Sequence, residues 1–323
     1  MPGEAESDNY EKPVSILIIT WKRPDETKEL LRRIETHKGN IYIYNDGKKE
    51  GWSEEENEDH QACREVIAEF NKKKTNVIGV MLESENQGCK RAVEKAIDWF
   101  YSREEEGVVL EDDVMPLEGF LDFMGVFLER YKNDEGVFAI CGDNRLHGKD
   151  LGQGMAYLSK YFLCWGWGSW REKWRWYRQL DIDQLIKSRQ EWIEPEQLYL
   201  RRKYMEVKEN NLDTWDYVLQ MGLLLTKTTV ITAGTRLTEN IGFNEKANHL
   251  LGYGHPDRWM KNRFTVGRPG VNWRDVVVQD EICRKADKYY FDSNLRKFCL
   301  SHKRGWVRIL ESLARKARML SGG

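Results

Sequence analysis

Five short apolar runs recur along the first 141 residues: Val14 to Ile19, Ile41 to Tyr44, Val77 to Leu82, Val108 to Leu110 and Val137 to Cys141. Runs of this kind, bounded by turn residues such as Asn45-Asp46-Gly47, read as buried strands. Between them lie stretches with apolar residues at helical spacing. These carry Leu30, Leu31 and Ile34, then Ala62, Val66, Ile67 and Phe70, then Ala92, Val93, Ala96, Ile97 and Phe100, and then Phe120 to Tyr131. Strand alternating with helix predicts an α/β, Rossmann-like fold with a mostly parallel sheet and helices on its faces. Asp25 is expected to cap the first helix, and Asp213 or Thr214 a later one.

The fourth run ends in Glu111-Asp112-Asp113, followed by Val114-Met115-Pro116. Acids at the end of a buried strand sit on the carboxyl edge of the sheet, where open α/β sheets bind ligands. Adjacent carboxylates repel unless something positive lies beside them. A divalent cation carrying a diphosphate answers that need, because hard cations take carboxylate and phosphate oxygens together. A lone acid triplet is also commonly a solvated turn, so its position after a strand carries the reading. The loops after the first and second strands open on the same edge and bring Thr20, Trp21, Arg23 and Asp46 towards the triplet. An aromatic ring or Arg suits a base, and a carboxylate suits a base or ribose. Lys90 and Arg91 follow Gly88 at a helix start, where backbone N–H groups favour phosphate. Taken singly, Asp46 is ordinary turn chemistry and the two cations an ordinary solvated pair.

Composition narrows the class. A net charge of -2 gives no electrostatic reason to bind nucleic acid. The six cysteines are scattered, with neither metal-ligand spacing nor a disulfide framework. Residues 1–12 are acidic and polar, unlike a signal peptide, and read as a disordered tail. No apolar run approaches the ~18 residues needed to span a bilayer. A reducing, cytoplasmic location follows as the default.

The later chain is less regular. Tyr161 to Tyr177 holds Trp165, Trp167, Trp170, Trp174 and Trp176, a density too high for an ordinary strand or helix face. Such rings either stack on sugar faces or plug a core. Residues 181–211 look helical, and Thr229 to Ala233 reads as a late strand. The Gly-, Asn- and His-rich stretch from 240 to 255 suits a loop that closes over a ligand. Residues 303–320 form a basic amphipathic pattern that reads either as a helix docked on the body or as a peripheral contact with the inner face of an anionic membrane.

With these pieces assembled, the chain resembles the GT-A glycosyltransferases, in particular family-2-like bacterial surface-polysaccharide transferases (the hemolytic-protein-like group), and is similar in layout to the N-acetylglucosaminyltransferase I family. The likeness rests on Ile19-Thr20-Trp21-Lys22-Arg23-Pro24, Asn45-Asp46-Gly47, Glu85 to Ala92, Leu110 to Val114, Trp165 to Trp170, Asp213 to Tyr217 and Asn240 to Phe243, in that order. It implies a nucleotide-sugar-binding half at 13–145, an acceptor and catalytic half at 146–258, and a C-terminal helical extension at 259–323. It implies that Thr20, Trp21, Arg23, Asp46, Gly88, Lys90, Arg91, Glu111 and Asp112 hold the donor, with Asp112 facing ribose or sugar. Asp113 would bind Mn2+ or Mg2+, with His249 as a further metal or diphosphate contact. Asp216 matches the catalytic base of inverting relatives. Trp165, Trp167, Asp213 and Trp215 would meet the acceptor, a glycan or glycolipid. Glu111 departs from the family's usual first Asp.

The expected activity is therefore metal-dependent, inverting transfer of a sugar from a nucleotide diphosphate sugar, with UDP favoured. A sugar-nucleotidyltransferase is the rival enzyme, but it would want a Gly-rich loop after the first strand, and Thr20 to Asp25 has no glycine. A non-catalytic carbohydrate-binding module is the third possibility.

Overall fold

A computed structural model of the chain describes residues 13–144, 156–189, 195–242, 271–278 and Asp287. The first half follows the alternation in the sequence. It runs β1 (Ile16–Thr20), α1 (Pro24–Arg33), β2 (Ile41–Asn45), α2 (Glu54–Lys73), β3 (Val77–Leu82), α3 (Cys89–Tyr101) and β4 (Glu106–Glu111). A short strand β5 (Val114–Pro116), helix α4 (Phe120–Tyr131) and β6 (Val137–Cys141) come next. Then follow β7 (Ala156–Ser159), β8 (Trp167–Trp170), α5 (Arg171–Arg178), α6 (Ile182–Ser188), α7 (Pro195–Lys208), α8 (Asp216–Thr226), β9 (Thr229–Ala233) and β10 (Thr238–Asn240).

Eight of these strands form one sheet in the order β3-β2-β1-β4-β8-β6-β9-β7. β1, β2, β3 and β4 pair in parallel, as do β6 and β9. β8 runs antiparallel to both its neighbours, and β7 is antiparallel to β9. The sheet is mostly parallel and covered on both faces, as the sequence predicts. Along β1, Ile16 and Ile18 face one core with α1, α2 and α4. Leu17 and Ile19 face the other, with α3 and α5 to α8. That period of two on a strand buried on both sides is why its sequence is a continuous apolar run. Strand order reverses between β1 and β4, so a crevice opens at their carboxyl ends.

Three sequence expectations need correction. The segment around Trp167 to Trp170 is a strand after all, central and fully buried. Its density of rings fits because Trp167 packs into one core and Trp170 into the other. Asp25 does not cap α1: Arg23 is the N-cap position, Pro24 opens the helix, and Asp25 sits in the first turn, where it complements the dipole. Neither Asp213 nor Thr214 caps α8, whose N-cap is Trp215 with no side-chain bond.

The ribbon of β5 with β10 lies beside the main sheet. Within the stretch beyond 258, Trp273 is buried against Phe123 of α4, with ring centroids 4.9 Å apart. Arg130 ties that segment down through the carbonyls of Trp273, Arg274 and Val276. Among the described residues no helix is long and apolar enough to cross a membrane. The expected 1–12 tail, most of the expected 240–255 loop with His249, and the expected 303–320 helix fall outside the described residues.

Candidate active site

The crevice is built from the ends of β1, β2 and β4. Thr20 is buried at the end of β1 and donates to the carbonyl of Tyr44 at 3.0 Å. Asn45, at the end of β2, donates to Thr20 Oγ1 at 3.0 Å and to the Trp21 carbonyl at 2.8 Å, and accepts from Arg64 Nε at 2.8 Å. Trp21 is fixed further by its indole N–H, which donates to the Gly47 carbonyl at 3.0 Å. Its ring is 5.3 Å from that of Trp52, and Lys22 Nζ lies 5.0 and 5.3 Å from the two ring centroids.

Asp46 faces the same edge. Its carboxylate accepts from the Gly47 and Gln87 backbone N–H groups at 2.8 and 2.9 Å and from Asn86 Nδ2 at 2.7 Å. It therefore clasps the turn after β2 to the turn after β3. Burial pushes its pKa up, against those donors.

At the end of β4 the acid triplet divides its roles. Asp112 is buried and accepts from the Trp21 backbone N–H at 3.1 Å and from Arg23 Nη1 at 3.2 Å. The same Arg23 nitrogen donates to Asp113 Oδ2. Burial alone would pull the guanidinium pKa down, but the charges of Asp112 and Asp113 more than reverse this. Burial also pushes Asp112 up, with Arg23 opposing. Glu111 is pushed up to about 8, first by burial and then by the charges of Asp113, Asp112 and Asp216. The backbone of Asp113 is held by the Ile241 N–H, which donates to its carbonyl at 2.8 Å. Gly242 then passes so close that a Cβ there would stand 2.1 Å from Asp113 Oδ2. The described start of the expected closing loop thus lies directly on the triplet.

The opposite wall comes from residues 213–216. Asp213 bonds the N-terminus of α3, accepting from the Cys89 and Lys90 backbone N–H groups at 2.8 and 3.0 Å. It occupies the position where the sequence suggests a phosphate. Gly88 makes this possible: its φ is +79°, and a Cβ there would lie 2.8 Å from Asp213 Oδ2. The Thr214 hydroxyl donates to Asp216 Oδ1 at the first turn of α8. Cys89 opens α3, its backbone N–H bonded to Asp213. Burial raises its thiol pKa well above the ordinary value, and the charges of Glu111, Asp213, Asp216 and Asp46 push the same way.

Not every expected residue lines the crevice freely. Lys90 contributes its backbone N–H, but its ammonium pairs with Glu94 at 2.9 Å. Arg91 is exposed. Trp167 and Trp215 are buried, packed edge-on against Phe162 and tilted against each other, with Trp174 beside Trp167 and ring centroids 5.1–6.4 Å apart. They offer no ring face to an acceptor: the plugged-core alternative holds at Trp167, and Trp215 packs into the same core. Trp165 is half-buried, and its carbonyl accepts from Thr238 Oγ1 at 2.7 Å. Asn45, Arg64, Trp52 and Cys89 were not among the residues singled out from the sequence. Asn45 stands in the Asn-Asp-Gly turn and could have been; nothing in the spacing of the others marks them.

Among the described residues no three His, Cys, Asp or Glu side chains gather into an all-protein cation cage. The donor set is two neighbouring carboxylates already sharing one positive charge. Hard oxygens of that kind suit a Mg2+- or Mn2+-like ion whose remaining ligands are substrate phosphates and water.

No family model matches the sequence, and no curated protein matches it. Among solved structures the chain is similar to the S. aureus TarS 1-349 structure, at 12% identity and a TM-score of 0.39, covering 68% of this chain and 57% of that one. It is similar to a UTP-bound UGPase from Acinetobacter baumannii, at 11% identity and a TM-score of 0.34, covering 68% and 85%. A UDP-glucose pyrophosphorylase complexed with UDP-glucose gives 10% identity and a TM-score of 0.33, covering 68% and 89%. The chain thus spans little more than half the length of the TarS structure. Likeness at this level carries no argument about fold detail or activity.

Proposed function

We propose that the protein is a glycosyltransferase that moves a sugar from a nucleotide diphosphate sugar, UDP-linked for preference, to a glycan or glycolipid hydroxyl with inversion. What supports this reading is the arrangement at the point where strand order reverses: Asp112 and Asp113 share Arg23 at the end of β4, Asp46 clasps the turn after β2 to the turn after β3, and Asp213 reaches the start of α3 from the later half of the chain. Trp21 and Asp46 would hold the nucleoside, with Arg23 between the nucleoside and the phosphates. Asp113 would hold a divalent cation together with the donor's phosphate oxygens. That ion, when bound, supplies positive charge to the leaving diphosphate.

Asp216 supplies the base. Thr214 donates to one carboxylate oxygen and so orients the group. The acceptor O–H gives its proton to the carboxylate as its oxygen attacks the anomeric carbon. The anomeric C–O bond to phosphate breaks on the opposite face, and its electron pair leaves with the nucleoside diphosphate. General-base assistance contributes about 10²–10⁴-fold. Asp216→Asn is expected to lower turnover by about that factor while donor affinity stays near wild type. Normal turnover in this variant removes Asp216 from the chemistry.

Incubation with UDP-, GDP- and dTDP-sugars and Mn2+ tests the class. Release of nucleoside diphosphate supports the transferase. Consumption of pyrophosphate with formation of nucleoside triphosphate supports a sugar-nucleotidyltransferase instead. Stabilisation by glycans alone, with no response to any nucleotide, leaves a carbohydrate-binding module.

A further inference from the structure

We infer that Arg23 is a built-in counter-cation that holds Asp113 until a nucleoside diphosphate draws the guanidinium away, so that the divalent cation and the nucleotide bind as a coupled pair. The inference rests on the donor-binding reading of the crevice and goes beyond it to how the site is kept when empty.

Three observations carry it. One guanidinium nitrogen, Nη1, serves both Asp112 and Asp113. The cluster is largely out of water: side-chain exposure is 18% for Arg23, 10% for Asp112 and 16% for Asp113. The oxygen of Asp113 that Arg23 engages is also the one crowded by Gly242. A cation reaching that oxygen must therefore displace Arg23, and a displaced, half-desolvated guanidinium needs another anion. Removing one partner from a buried pair without replacement is strongly unfavourable. A diphosphate is a suitable replacement, because its oxygens match the guanidinium fork. The exchange is balanced: Asp113 trades a monovalent cation for a divalent one, and Arg23 trades a carboxylate for a phosphate. Neither half proceeds well alone. Arg32, on the exposed face of α1, pairs with Glu29 and serves as the control.

The test is calorimetric titration with Mn2+, with and without UDP, on the full chain. In wild type, Mn2+ alone should bind weakly, and saturating UDP should tighten it at least about fivefold, the range of ordinary site coupling. Arg23→Gln should bind Mn2+ without UDP at least about fivefold more tightly than wild type, with the UDP effect reduced. Arg32→Gln removes the same charge from the surface of α1 and should leave both numbers near wild type. Arg23→Lys, which offers a single point charge in place of a fork, should fall between wild type and Arg23→Gln, and it serves if the glutamine variant does not fold. A second readout is the thermal midpoint: Mn2+ alone should raise that of Arg23→Gln more than that of wild type. If wild type binds Mn2+ and UDP but neither Arg23 variant gains Mn2+ affinity, or if Arg32→Gln gains as much, the counter-cation role is overturned and the donor-site reading survives. If no protein binds Mn2+ with or without UDP, both fall together.

Discussion

His60 shows how much one buried side chain can constrain the mouth of the crevice. It is fully buried on α2, 5.4 Å from the ring of Trp52. Its Nε2 lies 2.9 Å from the Asp46 carbonyl, an oxygen that only accepts, so the proton sits on Nε2. Nδ1 is buried and has no partner. Charging the ring would put a second proton there with nothing to receive it, and burial accordingly lowers the pKa from its ordinary 6.5. The folded chain then binds fewer protons at His60 than the unfolded chain does. The stability His60 contributes is therefore complete above pH 6.5 and is lost as the pH falls below it. Buried acids with raised pKa values, such as Asp46, run the opposite way, so the difference between wild type and His60→Ala is the quantity to follow. That gap in thermal midpoint should be widest above pH 6.5 and should narrow as the pH falls below it. A gap that stays constant with pH would mean the ring is not held neutral. Asn45 acts beside it without titrating: Asn45→Ala should free the Trp21 carbonyl and weaken nucleotide affinity before it weakens turnover, measured as a rise in KM with kcat near wild type.

At the scale of elements, the contact between Asp213 and the start of α3 joins the two halves of the candidate site. Asp213 lies three residues before Asp216, so whatever fixes one bears on the other. A side chain that bonds free N–H groups at a helix start contributes about 0.5–2 kcal/mol. Asp213→Ala should cost stability in that range in denaturant unfolding. Gly88→Ala should cost about 1 kcal/mol or more, from its positive φ and from the clash with the Asp213 carboxylate. Because both changes disturb one contact, the double variant should lose clearly less than the two single losses combined. Strict additivity would mean that the contact does not exist in solution. The β5–β10 ribbon makes a second join, since it delivers Gly242 to Asp113.

For the whole molecule, Trp167, Trp170 and Trp174 of the tryptophan-rich segment belong to the core, while Trp165 is half-buried and Trp176 is exposed. Trp167 is completely buried, and Trp174 and Trp215 pack beside it. Truncating a buried Trp to Ala typically costs about 3–5 kcal/mol. Trp167→Ala should therefore lower the thermal midpoint sharply, and a glycan acceptor should not protect the ring of the intact protein from fluorescence quenching. A stable Trp167→Ala variant with selectively weakened acceptor binding would reverse that assignment.

The sequence by itself determined the doubly covered sheet through β4. There the strands are continuous apolar runs and the helices carry one apolar face, so local periodicity and burial agree. It also placed Thr20, Asp46 and Glu111 at or just past the carboxyl ends of β1, β2 and β4, because each follows directly on an apolar run. It did not determine that Trp167 to Trp170 is a central strand, because a strand buried on both faces and filled with rings has no polar alternation to reveal it. Only the tertiary structure decided that Arg23 lies between Asp112 and Asp113, and that Asp213 bonds α3 and not its own helix. Those pairings join residues 89 to 124 positions apart. No local pattern encodes them, since they arise only when parallel strands bring distant loops to one edge.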